Sequence, residues 1–387
     1  MSNTKELDKS YVCGTYARFD IEIVSGKGSR VFDDTGKEYI DLGTGIAVNT
    51  FGICDKEWTD AVTEQMGKFQ HTSNLYYSEP CATLAKLLCD KTGAKKVFFG
   101  NSGAEANECA IKVARKWAKD KKGEDDYKIV TLKNSFHGRT ITTLAATGQE
   151  VFHKNFGPFT EGFVFAEANN SEDLERVVSE NKCCAIMMEA VQGEGGVMPL
   201  TREFVDTAKA LCEKYDLLLI FDEVQTGNGR SGTLYAYEQF NVTPDVVTTA
   251  KGLGGGLPIG ACLMFEKVEN TLGPSDHGST FGGNPIAAAG AVNIISRLTE
   301  ECLKGVRERS EFVFSSLSGA AGVKSVSGMG LMIGIETEKD VNLVLSECIK
   351  RGILPIKAKN KLRLLPALNI PMEDLQYAVN IINEVVK

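Results

Sequence analysis

The chain has 387 residues, of which 43% are hydrophobic and 24% charged, with a formal net charge of −8. That length supports a sizeable core and more than one domain, while the acidic balance excludes a general nucleic-acid or anionic-membrane binder, which needs a cationic face. Eleven cysteines without a CxxC pair and four histidines without HExxH read as reduced thiols of a cytoplasmic protein and leave no zinc pattern, so no metal is expected.

In chain order, the start is polar, without an apolar signal segment, and residues 1–20 read as a mobile arm. No apolar run approaches the ~18 residues of a membrane span, so a soluble protein is expected. Alternation over 21–41, interrupted by Ser25-Gly26-Lys27-Gly28 and Asp33-Asp34-Thr35-Gly36-Lys37, predicts a strand meander. Helices are predicted over 58–69, 80–91, 104–120 and 202–215, and short apolar strands over 96–99, 128–132, 184–188, 217–221 and 245–249. Such alternation predicts an α/β fold, a mostly parallel sheet sandwiched by helices. After Asn284-Pro285 one long helical pattern runs from 287 through 303 and onward. Strands over 323–327, 332–336 and 362–365 and helices over 340–351 and 372–386 complete an α+β region. The expected division is an arm and part of a small domain over 1–50, a large domain over 51–284, and the remainder of the small domain over 285–387.

Three strand ends carry chemistry. The strand over 96–99 runs into Asn101-Ser102-Gly103-Ala104-Glu105-Ala106, where a helix N-terminus offers backbone N–H groups to a phosphate and Gly103 permits close approach. A capped helix with no ligand is the plainer alternative for that segment alone. Asp222 closes the apolar run 217–221, which places its carboxylate at the carboxyl edge of the sheet. The pair Asp222-Glu223 also suits a magnesium site beside a P-loop, but GxxxxGK[ST] does not occur, and the one GxGxxG, Gly227-Asn228-Gly229-Arg230-Ser231-Gly232, neither directly follows a predicted strand nor opens a predicted helix. Lys251 stands between the strand over 245–249 and Gly252-Leu253-Gly254-Gly255-Gly256, a setting that predicts close packing and not a solvated charge. A phosphate cradle, an acid to keep a pyridine nitrogen protonated, and a lysine to meet an aldehyde are what pyridoxal 5′-phosphate requires.

With these segments in place, the chain resembles the class III aminotransferases of the type I pyridoxal phosphate fold, from Tyr16 to the C-terminus. The resemblance is carried by GSRVFDDTGKEYIDL, HTSNLYY, NSGAEANE, FHGRT, QGEGGV, FDEVQTGNGRSG, AKGLGGGLPIG and HGSTFGGNP. It implies that Ser102, Gly103 and Ala104 hold the phosphate, that Phe136 and Val224 cover the two faces of the ring, and that Gln225 meets its phenolic oxygen. Thr280 would reach the phosphate held by a neighbouring subunit, making a homodimer with shared active sites. Arg139 would bind the substrate carboxylate remote from the amine, and Arg363 the α-carboxylate of glutamate or 2-oxoglutarate. Glu194 would neutralise Arg363 when an omega-amine occupies the site. Tyr16 and Ser279 would touch substrate. For Phe136 a plain core aromatic, for His137 a structural hydrogen bonder, and for either arginine alone a surface ion pair are the competing readings.

The activity so implied moves the terminal amine of N-acetylornithine to 2-oxoglutarate, giving N-acetylglutamate 5-semialdehyde and glutamate, a step of arginine biosynthesis. Succinylornithine, ornithine and 4-aminobutyrate are the neighbouring donors. Three departures from the family pattern stand at Gly52-Ile53-Cys54-Asp55-Lys56, Ala190 and Phe281. A non-catalytic scaffold and a nicotinamide oxidoreductase are the readings from other classes. The intact lysine and acid oppose the first, and the lack of a GxGxxG set directly between a predicted strand and helix opposes the second.

Overall fold

The protein is described by a computed structural model over residues 4–123 and 125–387. Its central sheet has seven strands in the order Lys96–Gly100, Gly260–Met264, Val246–Thr249, Leu218–Asp222, Cys183–Met188, Lys128–Leu132 and Phe163–Ala166. Ile220 lies beside Val246 on one side and Met187 on the other, both in parallel register. Gly260–Met264 alone runs antiparallel to both neighbours, so the sheet is mixed with a parallel majority. The three central strands Cys183–Met188, Leu218–Asp222 and Val246–Thr249 are buried at every position. That is why they read as unbroken apolar runs: helices cover both faces of a parallel sheet.

Two of these strands escaped the sequence pattern. Phe163–Ala166 is a four-residue edge strand with only Ala166 buried, and Gly260–Met264 follows a glycine- and proline-rich turn that reads as loop. The helix Gly103–Lys122 buries Ala106, Ala110, Val113, Ala114 and Trp117, a stripe at helical spacing that packs it on the sheet. Each large apolar side chain so buried contributes roughly 1.5–3 kcal/mol. The pattern expected as one helix from 287 onward is two, Pro285–Arg297 and Glu300–Leu317. Thr299 separates them by capping the second, its Oγ1 accepting from the Cys302 N–H at 3.3 Å. Within the expected mobile arm, Thr4–Tyr11 is helical, with no buried residue.

The predicted meander forms as Ile23–Lys27, Arg30–Asp33 and Glu38–Asp41, and its last strand pairs in parallel with Ile353–Leu354 from the far end of the chain. Asp374, on the last helix Met372–Val386, accepts from Ser29 Oγ at 2.5 Å and pairs with Arg30 at 2.6 Å. A further antiparallel sheet, in the order Val323–Met329, Met332–Thr337, Lys361–Leu364 and Ile356–Ala358, sets Arg363 opposite Gly334. Both chain ends therefore build the smaller α+β part. Among the described residues no helix is long and apolar enough to cross a membrane.

Candidate active site

Parallel strands deliver their carboxyl ends to one edge of a sheet, and the loops that leave them converge there. A cavity of about 430 Å³ lies at that edge. Ser102, Gly103 and Ala104 enter it after Lys96–Gly100, Phe136 to Arg139 after Lys128–Leu132, and Glu189 after Cys183–Met188. Asp222 closes Leu218–Asp222 and is followed by Val224 and Gln225, while Lys251 follows Val246–Thr249; all line the same cavity.

The cradle depends on Ser102 and Gly103. Ser102 caps the helix, its Oγ accepting from the Glu105 N–H at 3.2 Å, which leaves earlier N–H groups of the first turn for a ligand. A Cβ at Gly103 would come within 2.6 Å of Val224 Cγ1, so only glycine lets these two loops meet. Lys251 has φ +47°, a left-handed conformation that side-chain-bearing residues adopt at roughly 1 kcal/mol or more. Its flanks hold it there: Asn228 Nδ2 donates to Ala250 O at 3.1 Å, and Thr50 Oγ1 donates to Gly252 O at 2.7 Å. Burial lowers the Lys251 pKa below its ordinary value, with Glu194 opposing and Arg363 assisting. A lowered amine pKa suits a group that must give up and take back a proton.

Asp222 forms the floor. Its Oδ2 accepts from Asn107 Nδ2 and pairs with His137 Nδ1, each at 2.8 Å, and its Oδ1 accepts from the Val224 N–H at 3.0 Å. Burial would lower the His137 pKa, but the hydrogen bond and charge of Asp222, with Glu189 adding, leave it raised. Glu189 is 5% exposed and accepts from the N–H groups of Phe136 at 2.8 Å and Gly193 at 3.3 Å. Burial pushes its carboxyl well above the usual range; His137 works against that shift and Asp222 with it.

One wall carries an ion pair between a buried arginine and a half-buried glutamate. Arg363 Nη1 donates to Glu194 Oε1 at 2.7 Å and to Gln225 Oε1 at 3.0 Å. Burial opposes ionisation of Glu194, yet the Arg363 charge and hydrogen bond prevail and hold its pKa below the ordinary value. Arg363 Nε is buried without a partner, so the guanidinium keeps donor capacity in hand. At the mouth, the exposed Arg139 guanidinium lies 4.2 Å from the Phe152 ring centroid and 5.4 Å from that of Phe136, a cation–π contact that aims it without neutralising it.

Of the residues singled out in the sequence, Ser102, Gly103, Ala104, Phe136, Arg139, Asp222, Val224, Gln225 and Lys251 line the cavity. Glu194 and Arg363 join it through Gln225. Three stand apart. Ser279 and Thr280 line a separate surface cavity with Ser73, Asn74 and Leu75, although Ser279 Oγ reaches Asn101 Nδ2 at 3.1 Å. Tyr16 is 74% exposed and lies outside the cavity lining. Sequence reasoning passed over Asn107 and Glu189, and read His137 as structural. Their residue types were visible, but the polar pairing that makes them informative arises only on folding.

The chain matches the Aminotransferase class-III family over residues 13–386. The protein is a class III aminotransferase. It is 49% identical to the acetylornithine aminotransferase of Haemophilus ducreyi, with 98% of each chain covered. It is 43% identical to the succinylornithine transaminase of Citrobacter koseri, over 97% of this chain and 95% of that one. Among solved structures, the N-acetylornithine aminotransferase of Stenotrophomonas maltophilia superposes with a TM-score of 0.86 at 36% identity, covering 98% of both chains. The ornithine aminotransferase of Toxoplasma gondii gives a TM-score of 0.95 at 32% identity, over 99% of this chain and 94% of that one. The fold is accordingly the type I fold, and its enzymes work with pyridoxal phosphate. The donor set here fits that group: a buried carboxylate with one oxygen still able to accept, a partly buried lysine, and a helix start where Gly103 has no room for a Cβ.

Proposed function

We propose that this aminotransferase moves the terminal amino group of N-acetylornithine to 2-oxoglutarate, giving N-acetylglutamate 5-semialdehyde and glutamate in arginine biosynthesis. The observation that carries the reading is the Arg363–Glu194 pair at 2.7 Å beside Lys251. A guanidinium that is neutralised when the donor lacks a carboxylate there, and released when 2-oxoglutarate arrives, lets one pocket serve two unlike substrates in turn. Pyridoxal phosphate, when bound, supplies the electron sink for the carbon bearing the amine. Ser102, Gly103 and Ala104 hold its phosphate; Phe136 and Val224 cover its ring; Gln225 meets its phenolic oxygen; Asp222 keeps its ring nitrogen protonated. Lys251, its pKa lowered by burial, moves the proton at the reacting carbon, first as base and then as acid. Arg139 orients the donor's distant carboxylate, with Tyr16 and Ser279 touching substrate.

In this reading Thr280 completes the phosphate site of a second subunit, so the working unit is a homodimer, and the enzyme is cytoplasmic. The division into 1–50, 51–284 and 285–387 belongs to the same proposal; the parallel pairing of Ile353 with Ile40 supports the joining of the first and last parts. Succinylornithine as donor is the second reading, favoured by the 43% identity to a succinylornithine transaminase. Initial rates on N-acetylornithine, succinylornithine, ornithine and 4-aminobutyrate, each with 2-oxoglutarate, test both. The highest kcat/KM is expected on N-acetylornithine; a preference for another amine overturns the assignment. A purified protein that is colourless and takes up no pyridoxal phosphate overturns the mechanism.

A further inference from the structure

Asp222 is not held by the strand that carries it alone. Asn107, on the helix Gly103–Lys122, is 1% exposed and donates from Nδ2 both to Asp222 Oδ2 at 2.8 Å and to His137 O at 2.7 Å. Its amide could in principle sit either way round, since oxygen and nitrogen have the same shape. Its partners remove that freedom: the Asp222 carboxylate and the His137 carbonyl only accept, so the amide nitrogen faces them. The Thr248 hydroxyl, on the neighbouring buried strand Val246–Thr249, donates to Asn107 Oδ1 at 2.6 Å and holds the other end of the amide.

We infer that Asn107, held by Thr248, is a positioning residue that keeps the Asp222 carboxylate aimed into the cavity. The inference rests on the reading that Asp222 serves the cofactor's ring nitrogen. A neutral donor stabilises the carboxylate without adding a competing charge. It also occupies Oδ2 together with His137, so Oδ1, which accepts only the Val224 N–H, is the oxygen with a lone pair to spare for the cavity. The titratable and charged groups that share this pocket with Asp222 are His137, Arg139, Glu189 and Lys251. Of these His137 alone bonds to the carboxylate, so at Oδ2 Asn107 is the donor that does not titrate.

The test uses holoenzyme reconstituted with pyridoxal phosphate labelled at the ring nitrogen with nitrogen-15. In the wild type the resonance is expected at the protonated position across the neutral range. Asn107→Leu removes the donor. It is expected to move the resonance toward neutral pyridine at a lower pH than in the wild type, and to weaken cofactor binding about tenfold, the loss of one charge-assisted hydrogen bond. Thr248→Val should give a smaller shift in the same direction, and Thr248→Ser, which keeps the hydroxyl, should restore the wild-type resonance. Unchanged resonance and affinity in folded Asn107→Leu and Thr248→Val overturn the inference while leaving the role of Asp222 intact. A ring nitrogen that is neutral already in the wild type overturns the reading beneath it. If Asn107→Leu does not fold, the Thr248 pair, differing by a hydroxyl against a methyl, decides alone.

Discussion

At the floor of the cavity, Asn107, His137, Asp222 and Glu189 are between 1% and 5% exposed and bond to one another or to the neighbouring backbone. At its mouth Arg139 is exposed; Tyr16, 74% exposed, lies outside its lining, and Thr280 lines a different surface cavity altogether. The floor is thus complete within one chain, where low dielectric strengthens each contact and fixes protonation states. The mouth is left open, and under the proposed function a second subunit and the substrates complete it. Under that reading the core of one chain presets the cofactor's electronics, while the substrate's distant end meets Arg139 at an exposed rim that costs little to alter.

The comparison breaks most severely at Lys251. Lys251→Ala should reduce transamination by at least about 10³-fold, the scale of acid–base and nucleophilic work together, while pyridoxal phosphate still co-purifies. Near-normal rates in that variant would remove Lys251 from the chemistry. Next in size is Arg363→Lys, which keeps the charge and loses the planar fork. KM for 2-oxoglutarate is expected to rise about 50-fold with a smaller change for the amine donor, and steady-state kinetics on each half-reaction would expose an equal loss on both.

Glu223 asks whether burial alone, without a role at the cavity, carries a cost. It accepts from the Tyr237 N–H at 2.8 Å and from the Thr226 hydroxyl, and burial lifts its pKa from 4.5 to about 7, against those bonds. For an acid raised in the folded state, stability is full below the unfolded pKa and is lost as pH rises through the folded one. Glu223→Gln should therefore be more stable than the wild type at pH ~8 by roughly 2 kcal/mol, with the gap closing toward pH ~4. Thermal unfolding across that range checks the sign; a gap that widens in acid contradicts it. The smallest effect belongs to the rim. Thr280→Ala should weaken cofactor binding about tenfold, and mixed dimers with Lys251→Ala subunits should recover tight binding at the one site that combines an intact lysine with an intact threonine. Without recovery, the site is not shared.

Lys251, Asp222 and Ser102 were legible in the chain because each stands within three residues of the end of a short apolar run, and a strand buried on both faces, such as Leu218–Asp222, announces its own end. The helices Arg202–Tyr215 and Met372–Val386 were legible for a related reason, since amphipathic spacing is a local signal. The break at Thr299 was not, because helix spacing continues through it and only the cap interrupts it. Nor was the strand Gly260–Met264, whose place between two others depends on partners distant in sequence. Asn107 meets Asp222 across 115 positions, and Thr248 meets Asn107 across 141. Periodicity reports which face of an element is buried, whereas a hydrogen bond between elements depends on how they dock. The amino-acid order by itself determined the strand ends, their chemistry and the family; only the tertiary structure decided which polar groups hold Asp222, because that choice is made by packing and not by spacing.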